Sequence, residues 1–431
     1  MTLPAGIAIA VHLICAILLF SSAVVVWVAW KGCRVLRRLA LATTRDDAPI
    51  LLKSPGVPAV SAIALMRDDS AKSLAFGHRL AELLFPRHEL VLVLDGLDED
   101  AVEAWKREFN LASSERRSGR ELPAPAVTGV YESTSFASVL AIEVAADGDA
   151  GAWNAGVNAA SSPVVAFFDP DTEVVPESLL RLIRPMLEEP DLVFAVCGSA
   201  PSPAEGGGLA CDIGDLEATR LWLGRCAAFA GWKNMLAPVE GSAVLVRRDA
   251  IVLAGGFAAG PLELILNLQG RASHSEKPYR TAFVPEALGR LPVPRTWSEL
   301  RERLETGQRA LAGALRHRDS IMDGWFALGW GLPAVVFDHF GRPLLETAVL
   351  LVAIAGLPLG LVSPSLALLV LLATVGVGIP VSMSMVVFRE LADFHGSDAA
   401  RLTRLLRAAI AENFGYRQLR NLWLIGGFIR R

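Results

Sequence analysis

The first thirty residues contain no Asp, Glu, Lys or Arg. A cleaved signal peptide carries positive charge ahead of a short apolar core, so this absence excludes one. Cysteine is scarce too. The five residues Cys15, Cys33, Cys197, Cys211 and Cys226 show no ligand spacing and no histidine pattern beside them. That excludes a structural zinc site and fits a reduced cytosolic compartment. An excess of positive charge is also missing: the net charge is −4. The middle of the chain has no basic patch interleaved with aromatics, which argues against a nucleic-acid partner.

What is abundant is apolar. Hydrophobic residues make up 52% of the 431, and the mean hydropathy is +0.42, with the excess concentrated at the two ends. Gly6 to Trp30 exceeds the roughly 20 residues that cross a bilayer, and Lys31, Arg34, Arg37 and Arg38 follow at once. Basic residues collect on the cytosolic side, so the run reads as an uncleaved anchor with its N-terminus outside. Two further stretches, Ala348 to Val362 and Leu366 to Phe388, flank the break at Ser363, Pro364 and Ser365. Glu346 lies at the cytosolic edge of the first. Pro380 interrupts the second, which packed neighbours make tolerable in a membrane helix. A single buried soluble hairpin is the competing reading of this region.

Three spans put the C-terminus inside. Residues 389–431 agree, with eight Arg against Glu390, Asp393, Asp398 and Glu412. The expected organisation is an anchor (1–30), a basic juxtamembrane linker (31–54), an α/β domain (55–320), an interfacial helix (321–341), a transmembrane hairpin (342–388) and a basic amphipathic cytosolic tail (389–431).

The middle region alternates apolar runs with helical spacing. Residues 59–66 read as a first buried strand, 70–85 as a helix stopped by Pro86, and Leu90 to Leu94 as a second strand closed by Asp95 and Gly96. Residues 98–110 look helical, Ala126 to Tyr131 forms a weaker strand, and a helix over 150–160 precedes the strand Val164 to Phe168. Such alternation predicts an α/β domain with a mainly parallel sheet. The last strand runs straight into Asp169, Pro170 and Asp171. Ligands of open α/β sheets collect at strand carboxyl ends. Pro170 favours a turn that lets both carboxylates serve one site. Two hard oxygen ligands there suit Mg²⁺ or Mn²⁺. A solvated turn is the plainer alternative, because turns favour Asp.

The order of these features resembles the family 2 membrane glycosyltransferases of the GT-A fold, a group with relatives of cellulose synthase, hyaluronan synthase and ceramide glucosyltransferase. The resemblance covers roughly residues 55–430. Pro58 to Ser61 resembles the opening strand, and Leu92 to Gly96 the strand whose Asp contacts the base. Gly148 to Gly156 with Phe167 to Thr172 is similar to the stretch leading to the DXD motif. Pro238 to Arg248 with Gly255, Gly256 and Phe257 resembles the acceptor segment, and Asn413 to Leu419 a tail found in bacterial members.

The resemblance implies an inverting transferase in a bacterial inner membrane. It would move a sugar from a nucleotide diphosphate, a UDP-sugar foremost, to a lipid or polysaccharide acceptor. Asp95 would accept from the uracil imide, and Asn154 would support the sugar or the DXD loop. Asp169 and Asp171 would hold Mg²⁺ or Mn²⁺. Gly241, Ser242, Gln308 and Arg309 would lie on the acceptor side. Membrane lipid is a further expected partner, and an oligomer or an envelope-assembly partner could supply helices beyond the three spans.

Several positions depart from the family pattern. Family members offer a Glu-Asp pair after the Gly-Gly-Phe segment as general base. Here Gly260 and Pro261 fall near its place, with Glu263 the only nearby carboxylate, either as the base or at work in a helix start. Arg67 and Asp68 replace an Asn-Glu, and Asp149 replaces a Lys beside the diphosphate, a reversal that Arg67 could offset. Leu311 and Ala312 stand where an Arg-Trp pair is expected. These losses motivate a second expectation, a degenerate GT-A shell acting as a binding or assembly subunit. A nucleotidyltransferase of similar sheet architecture is disfavoured, since no Gly-rich, Lys-containing loop follows the first strand.

Near the membrane, Met322 to Phe340 carries Trp325, Phe326, Trp330 and Phe337, which suit the interface. Residues 398–413 form an amphipathic helix with Arg401, Arg404 and Arg407 flanking an apolar face, ended by Gly415, as helices lying on anionic lipid do.

Overall fold

Uninterrupted apolar runs become strands covered on both faces. The computed structural model describes residues 5–42, 48–136, 138–168, 173–198, 200–201, 208–231, 243–258, 260–273, 280–284, 289–291, 293–316, 336–392 and 399–429. Helices α1 (Ala5–Ala42) and α2 (Ala48–Lys53) lead into β1 (Val60–Met66), α3 (Ala71–Ala81), β2 (His88–Asp95) and α4 (Glu99–Phe109). Then come β3 (Leu111–Ser113), β4 (Val127–Ser133), β5 (Val139–Val144), α5 (Gly148–Ala159), β6 (Val164–Phe167), β7 (Glu173–Val174) and α6 (Ser178–Glu188). The domain continues through β8 (Val193–Gly198), β9 (Ala200–Pro201), α7 (Leu209–Gly231), β10 (Ala243–Arg247), α8 (Arg248–Ala254) and α9 (Pro261–Ser273). It closes with β11 (Arg280–Val284), β12 (Gly289–Leu291) and α10 (Trp297–Arg316). The C-terminal helices are α11 (Arg342–Gly356), α12 (Pro364–Leu371), α13 (Gly378–Ala392), α14 (Ala399–Ala411) and α15 (Tyr416–Ile429). A π-helical turn, Phe337–Gly341, precedes α11, and another, Leu372–Gly376, joins α12 to α13.

The main sheet has nine strands in the order β11-β8-β10-β6-β1-β2-β5-β4-β3. Its centre, β6-β1-β2-β5, is parallel, with Ile63 opposite Phe167 and Met66 opposite Leu94. β10 runs antiparallel between β6 and β8, and β4 antiparallel beside β5. A small sheet joins β7, β12 and β9. Side chains alternate across the sheet with period two. Ala62, Ala64, Met66, Leu90, Leu92 and Leu94 face Phe76, Trp105, Phe109 and Leu179 in one core. Ile63, Leu65, Val91 and Val93 face Ala155, Val157 and Ile251 in the other. β1 has β2 on one side and β6 on the other, the kind of switch point at which the carboxyl ends of parallel strands leave a crevice.

At the opposite edge Glu89 ties three segments together. Its carboxylate accepts from Ser61 Oγ at 2.7 Å, from Ser161 N and Oγ at 3.0 Å each, and from Arg116 Nη2 at 2.6 Å. Burial alone would raise this carboxyl's pKa. The hydrogen bonds from Ser161, Ser61 and Arg116, with the Arg116 charge, outweigh it and hold the group below the usual glutamate range.

Three helices are long and apolar enough to cross a membrane: Gly6–Arg38, Phe337–Gly356 and Pro364–Ala392. The expected second stretch, 348–362, begins earlier and stops earlier. Within it Arg342 and Glu346, which interrupt its hydropathy, are buried and paired. Arg342 donates to Ser22 of α1 at 3.0 Å, and Glu346 pairs with Arg417 at 2.9 Å. It stops at Gly356 because Pro358 cannot continue the hydrogen-bonding pattern, and Gly360 turns at φ 66°. Ser363 then caps α12, accepting from Leu366 N at 3.3 Å.

The domain meets these helices along α7, which the sequence reading did not identify as a helix. Asp215, fully buried, accepts from Arg389 at the end of α13 and from Arg401 of α14 at 3.0 Å. Glu217 receives Arg220 at 3.1 Å and Arg420 at 2.9 Å, and Arg220 also reaches Glu412. Arg404 points at Asp212, 3.7 Å away. The arginines expected to flank a lipid-lying helix are therefore turned inward at positions 401 and 404. Most of the expected interfacial helix, residues 321–335 of 321–341, lies outside the described residues.

Replacing Asp215 with Ala leaves two arginines without their buried anion. The cost should be about 3–5 kcal/mol, read as a lowered thermal midpoint of the detergent-solubilised protein. Glu89 makes a separate pH prediction. Its folded-state pKa is depressed, so its contribution is complete above the unfolded value of about 4.3 and is lost as pH falls through the folded one. A Glu89→Gln variant should be less stable at neutral pH and show a flatter loss of thermal midpoint on acidification below about pH 4.3.

Candidate functional site

The carboxyl edge of the parallel strands gathers the charged residues. Asp95 closes β2, and the chain turns at once through Gly96, whose φ is 63°. A side chain at Gly96 would come within 2.7 Å of Ala146 Cβ, so glycine is required there on both counts. Asp95 is 8% exposed. Its Oδ2 accepts from Arg67 Nε at 3.0 Å, while Oδ1 is buried with no hydrogen-bond partner among the described residues. Arg67, the first residue after β1, also donates through Nη2 to Asp149 Oδ1 at 2.5 Å. Burial would lower the guanidinium's pKa, but its hydrogen bonds to Asp149 and Asp95 outweigh this and raise it. Arg67 thus bridges the strand end of Asp95 and the first turn of α5, and it offsets the acid that stands at 149.

Asp68 belongs to the scaffold. Its Oδ1 accepts from Ser73 Oγ at 2.5 Å and Ser70 N at 3.0 Å, and its carbonyl accepts from Trp105 Nε1 at 3.1 Å. The Ser73 hydroxyl first, then Ser70, holds the carboxyl below its ordinary range.

Asn154 lies on α5, buried, with its amide engaged in the protein. Nδ2 donates to Pro123 O at 2.9 Å and Phe257 O at 3.1 Å, and Oδ1 accepts from Phe257 N at 2.8 Å. A Cβ on Gly256, where φ is 86°, would sit 2.4 Å from Asn154 Oδ1. The Gly255-Gly256-Phe257 turn is therefore built to lie against this amide. Phe257 then packs with Phe167, 5.1 Å between ring centroids, and Trp153, 6.0 Å, beneath the end of β6. Glu263 follows in the first turn of α9. It is 2% exposed and accepts from Ala258 N at 3.0 Å.

Gln308 and Arg309 lie elsewhere, on α10 against α15. Gln308 is buried and donates to His339 O at 2.9 Å, while Arg309 turns back onto its own helix, donating to Thr306 Oγ1 at 3.0 Å. Asp169, Asp171, Gly241 and Ser242 lie outside the described residues. Among the described residues no group of three or more His, Cys, Asp or Glu could hold a metal ion. Arg67, Asp95, Asp149 and Asn154 surround the end of the parallel strands. A cavity of about 900 Å³ lies at the other edge, lined by Pro58, Ser161, Ser162, Arg247 and Arg248. It is remote from these carboxylates. The Arg67–Asp149 pairing was visible in sequence only as two compensating departures. Its signal was the charge reversal itself.

Residues 140–206 match the model of glycosyl transferase family 2. That segment runs from β5 past β9 and includes Asp169 and Asp171. No curated protein matches the chain. Among solved structures it is similar to a mannosyltransferase from Pyrobaculum calidifontis in complex with GDP-Man and Mn²⁺. Identity is 17% and the TM-score 0.51, over 92% of this chain and 99% of that one. It is also similar to glucosyl-3-phosphoglycerate synthase from Mycobacterium tuberculosis in complex with Mn²⁺, UDP and phosphoglyceric acid. There the identity is 14% and the TM-score 0.38, over 62% and 81% of the two chains. The second likeness carries no argument. The first shows the fold, which is GT-A, and with the family match it supports a glycosyltransferase.

Asn154→Ala should strand three polar groups of Phe257 and Pro123. We expect a loss of at least about 2 kcal/mol, since each buried unsatisfied group costs about 1–3 kcal/mol. A thermal-shift measurement in detergent checks it.

Proposed function

We propose that the protein is a membrane-bound, inverting glycosyltransferase. It moves a sugar from a nucleotide diphosphate to a lipid or polysaccharide acceptor at the cytosolic face of a bacterial inner membrane. The observation that carries this reading is the buried Asp95 carboxylate, with one oxygen held by Arg67 and the other without a partner among the described residues. A buried acceptor left unsatisfied is costly, and a base imide such as that of uracil would satisfy it.

Asp169 and Asp171, which follow β6, are a hard-oxygen donor set that suits Mg²⁺ or Mn²⁺. Such an ion would neutralise charge developing on the departing diphosphate. Arg67 supplies the positive charge that offsets Asp149 beside the diphosphate. The general base is the least supported role. Glu263 is the carboxylate nearest the expected position, and its buried hydrogen bond to Ala258 N favours a second reading, a GT-A shell that binds nucleotide without transferring sugar.

Mn²⁺-dependent UDP binding to the purified protein in detergent separates the readings from a fold without a donor site. Wild type should bind. Asp171→Asn should lose most of the affinity, and Asp95→Asn should weaken it about tenfold, the equivalent of one charge-assisted hydrogen bond of roughly 1.5 kcal/mol. A wild type that binds neither UDP nor another nucleoside diphosphate would refute the donor site. Glu263→Gln divides the remaining cases: transfer lost with binding kept supports the base, and full transfer excludes it.

A further inference from the structure

Helices in water bury apolar residues and expose charge. Around the turn joining α14 to α15 the buried side carries Leu405, Ala409 and Tyr416 together with much of the charge, and the outer side is apolar. On the protein side, Arg401 and Arg404 face the acids of α7, Glu412 and Asn413 are buried, and Arg417 and Arg420 meet Glu346 and Glu217 at 2.9 Å each. On the outer side stand Ile410, Phe414, Leu419 and Leu422. Phe414 is 67% exposed and Leu422 55%. In α15 the outward stripe follows helical spacing: Leu419 and Leu422, continued by Gly426, with no charge along it.

Continuity with the membrane helices identifies what covers this face. Arg417 pairs with Glu346, which lies inside the candidate span Phe337–Gly356, so α15 starts alongside the entry of that helix. The same span turns Leu344, Leu351 and Ile354 outward. Arg407 is exposed on α14, three residues before Ile410, where phosphate headgroups would meet it.

We infer that the α14–α15 elbow is a membrane-embedded wedge. Its outward apolar face sits among the acyl chains of the leaflet beside the domain, and its charges are folded back onto α7 and α11. The tail is then an in-plane membrane element, inserted by its apolar face, while Arg401, Arg404, Arg417 and Arg420 serve contacts within the protein. This does not depend on the transferase reading, because it rests on burial and ion pairing alone.

The test uses the full chain in nanodiscs of phosphatidylcholine and phosphatidylglycerol. Phe414→Cys, Leu419→Cys and Leu422→Cys are each labelled with a nitroxide, and Asp100→Cys on the exposed start of α4 serves as the aqueous control. All four positions are exposed, so the substitutions leave the packing intact, and the unsubstituted protein gives the labelling background. Power saturation should show oxygen relaxing the labels at 414, 419 and 422 several-fold more than a water-soluble nickel chelate does, with the reverse at position 100. Stronger relaxation by nickel at 414, 419 and 422 would overturn the inference by showing that the face is in water. Labels reached by neither reagent would overturn it too, because a second copy or another protein would then cover the face.

Discussion

Asp215 receives one arginine from the end of the last membrane helix and another from the first tail helix, while its own helix belongs to the sheet domain. Glu217 and Arg220 extend the seam by a turn, reaching Arg420 and Glu412. Ion pairs of this kind do not stabilise more than well-packed apolar residues would, because desolvation consumes most of the Coulombic gain. Their effect is on alignment. A shift of α7 by one turn would leave several buried charges unpaired at once, whereas an apolar seam could slide. Gly32 reinforces the constraint: a Cβ there would fall 2.1 Å from the Leu223 carbonyl, so α1 and α7 touch backbone to backbone. The relation between sheet, spans and tail is fixed by these contacts.

The carboxyl edge of the parallel strands depends on a second, smaller balance. Asp149 and Asp95 would repel each other without a cation between them. Arg67, one residue past the end of β1, lies between them and cancels much of that field. Asn154 and Gly256 hold the neighbouring turn by a close backbone approach. The edge combines a buried floor with a half-exposed cation, Arg67, tied to both carboxylates.

Much of the sheet was legible because strands buried on both faces are continuous apolar runs. β1, β2 and β6 were found within a residue or two for that reason, and so were α4 and the start of α3, whose caps are Asp98 and Ser70, although α3 ends at Ala81, before the expected stop at Pro86. β5 was missed because Glu143 breaks its run, a charge tolerated through the Tyr131 hydroxyl at 2.9 Å. α7 was missed for a different reason. Its fully buried acid, Asp215, is satisfied by arginines more than 150 residues away, and no local spacing reveals such partners. The same remoteness hid the inward turn of Arg401 and Arg404. At the site, Asp95 and Arg67 were legible as strand-end residues. Asn154 was legible as a position, but its clamp on Phe257 is tertiary.

The first helix continues well past the apolar run that marks it. Its apolar part ends near Trp30, while the helix persists to Ala42. At 1.5 Å per residue those twelve residues add a mast of about 18 Å past the apolar run. Since α7 is seated on that mast, height and azimuth of the sheet domain are geared together. Removing one residue between Trp30 and Gly32 would shift the domain about 1.5 Å along α1 and swing it by about 100°. Such a turn would carry α7 off the arginines of α13 and α14, so the length of the first helix and the charges at the far end of the chain have to agree.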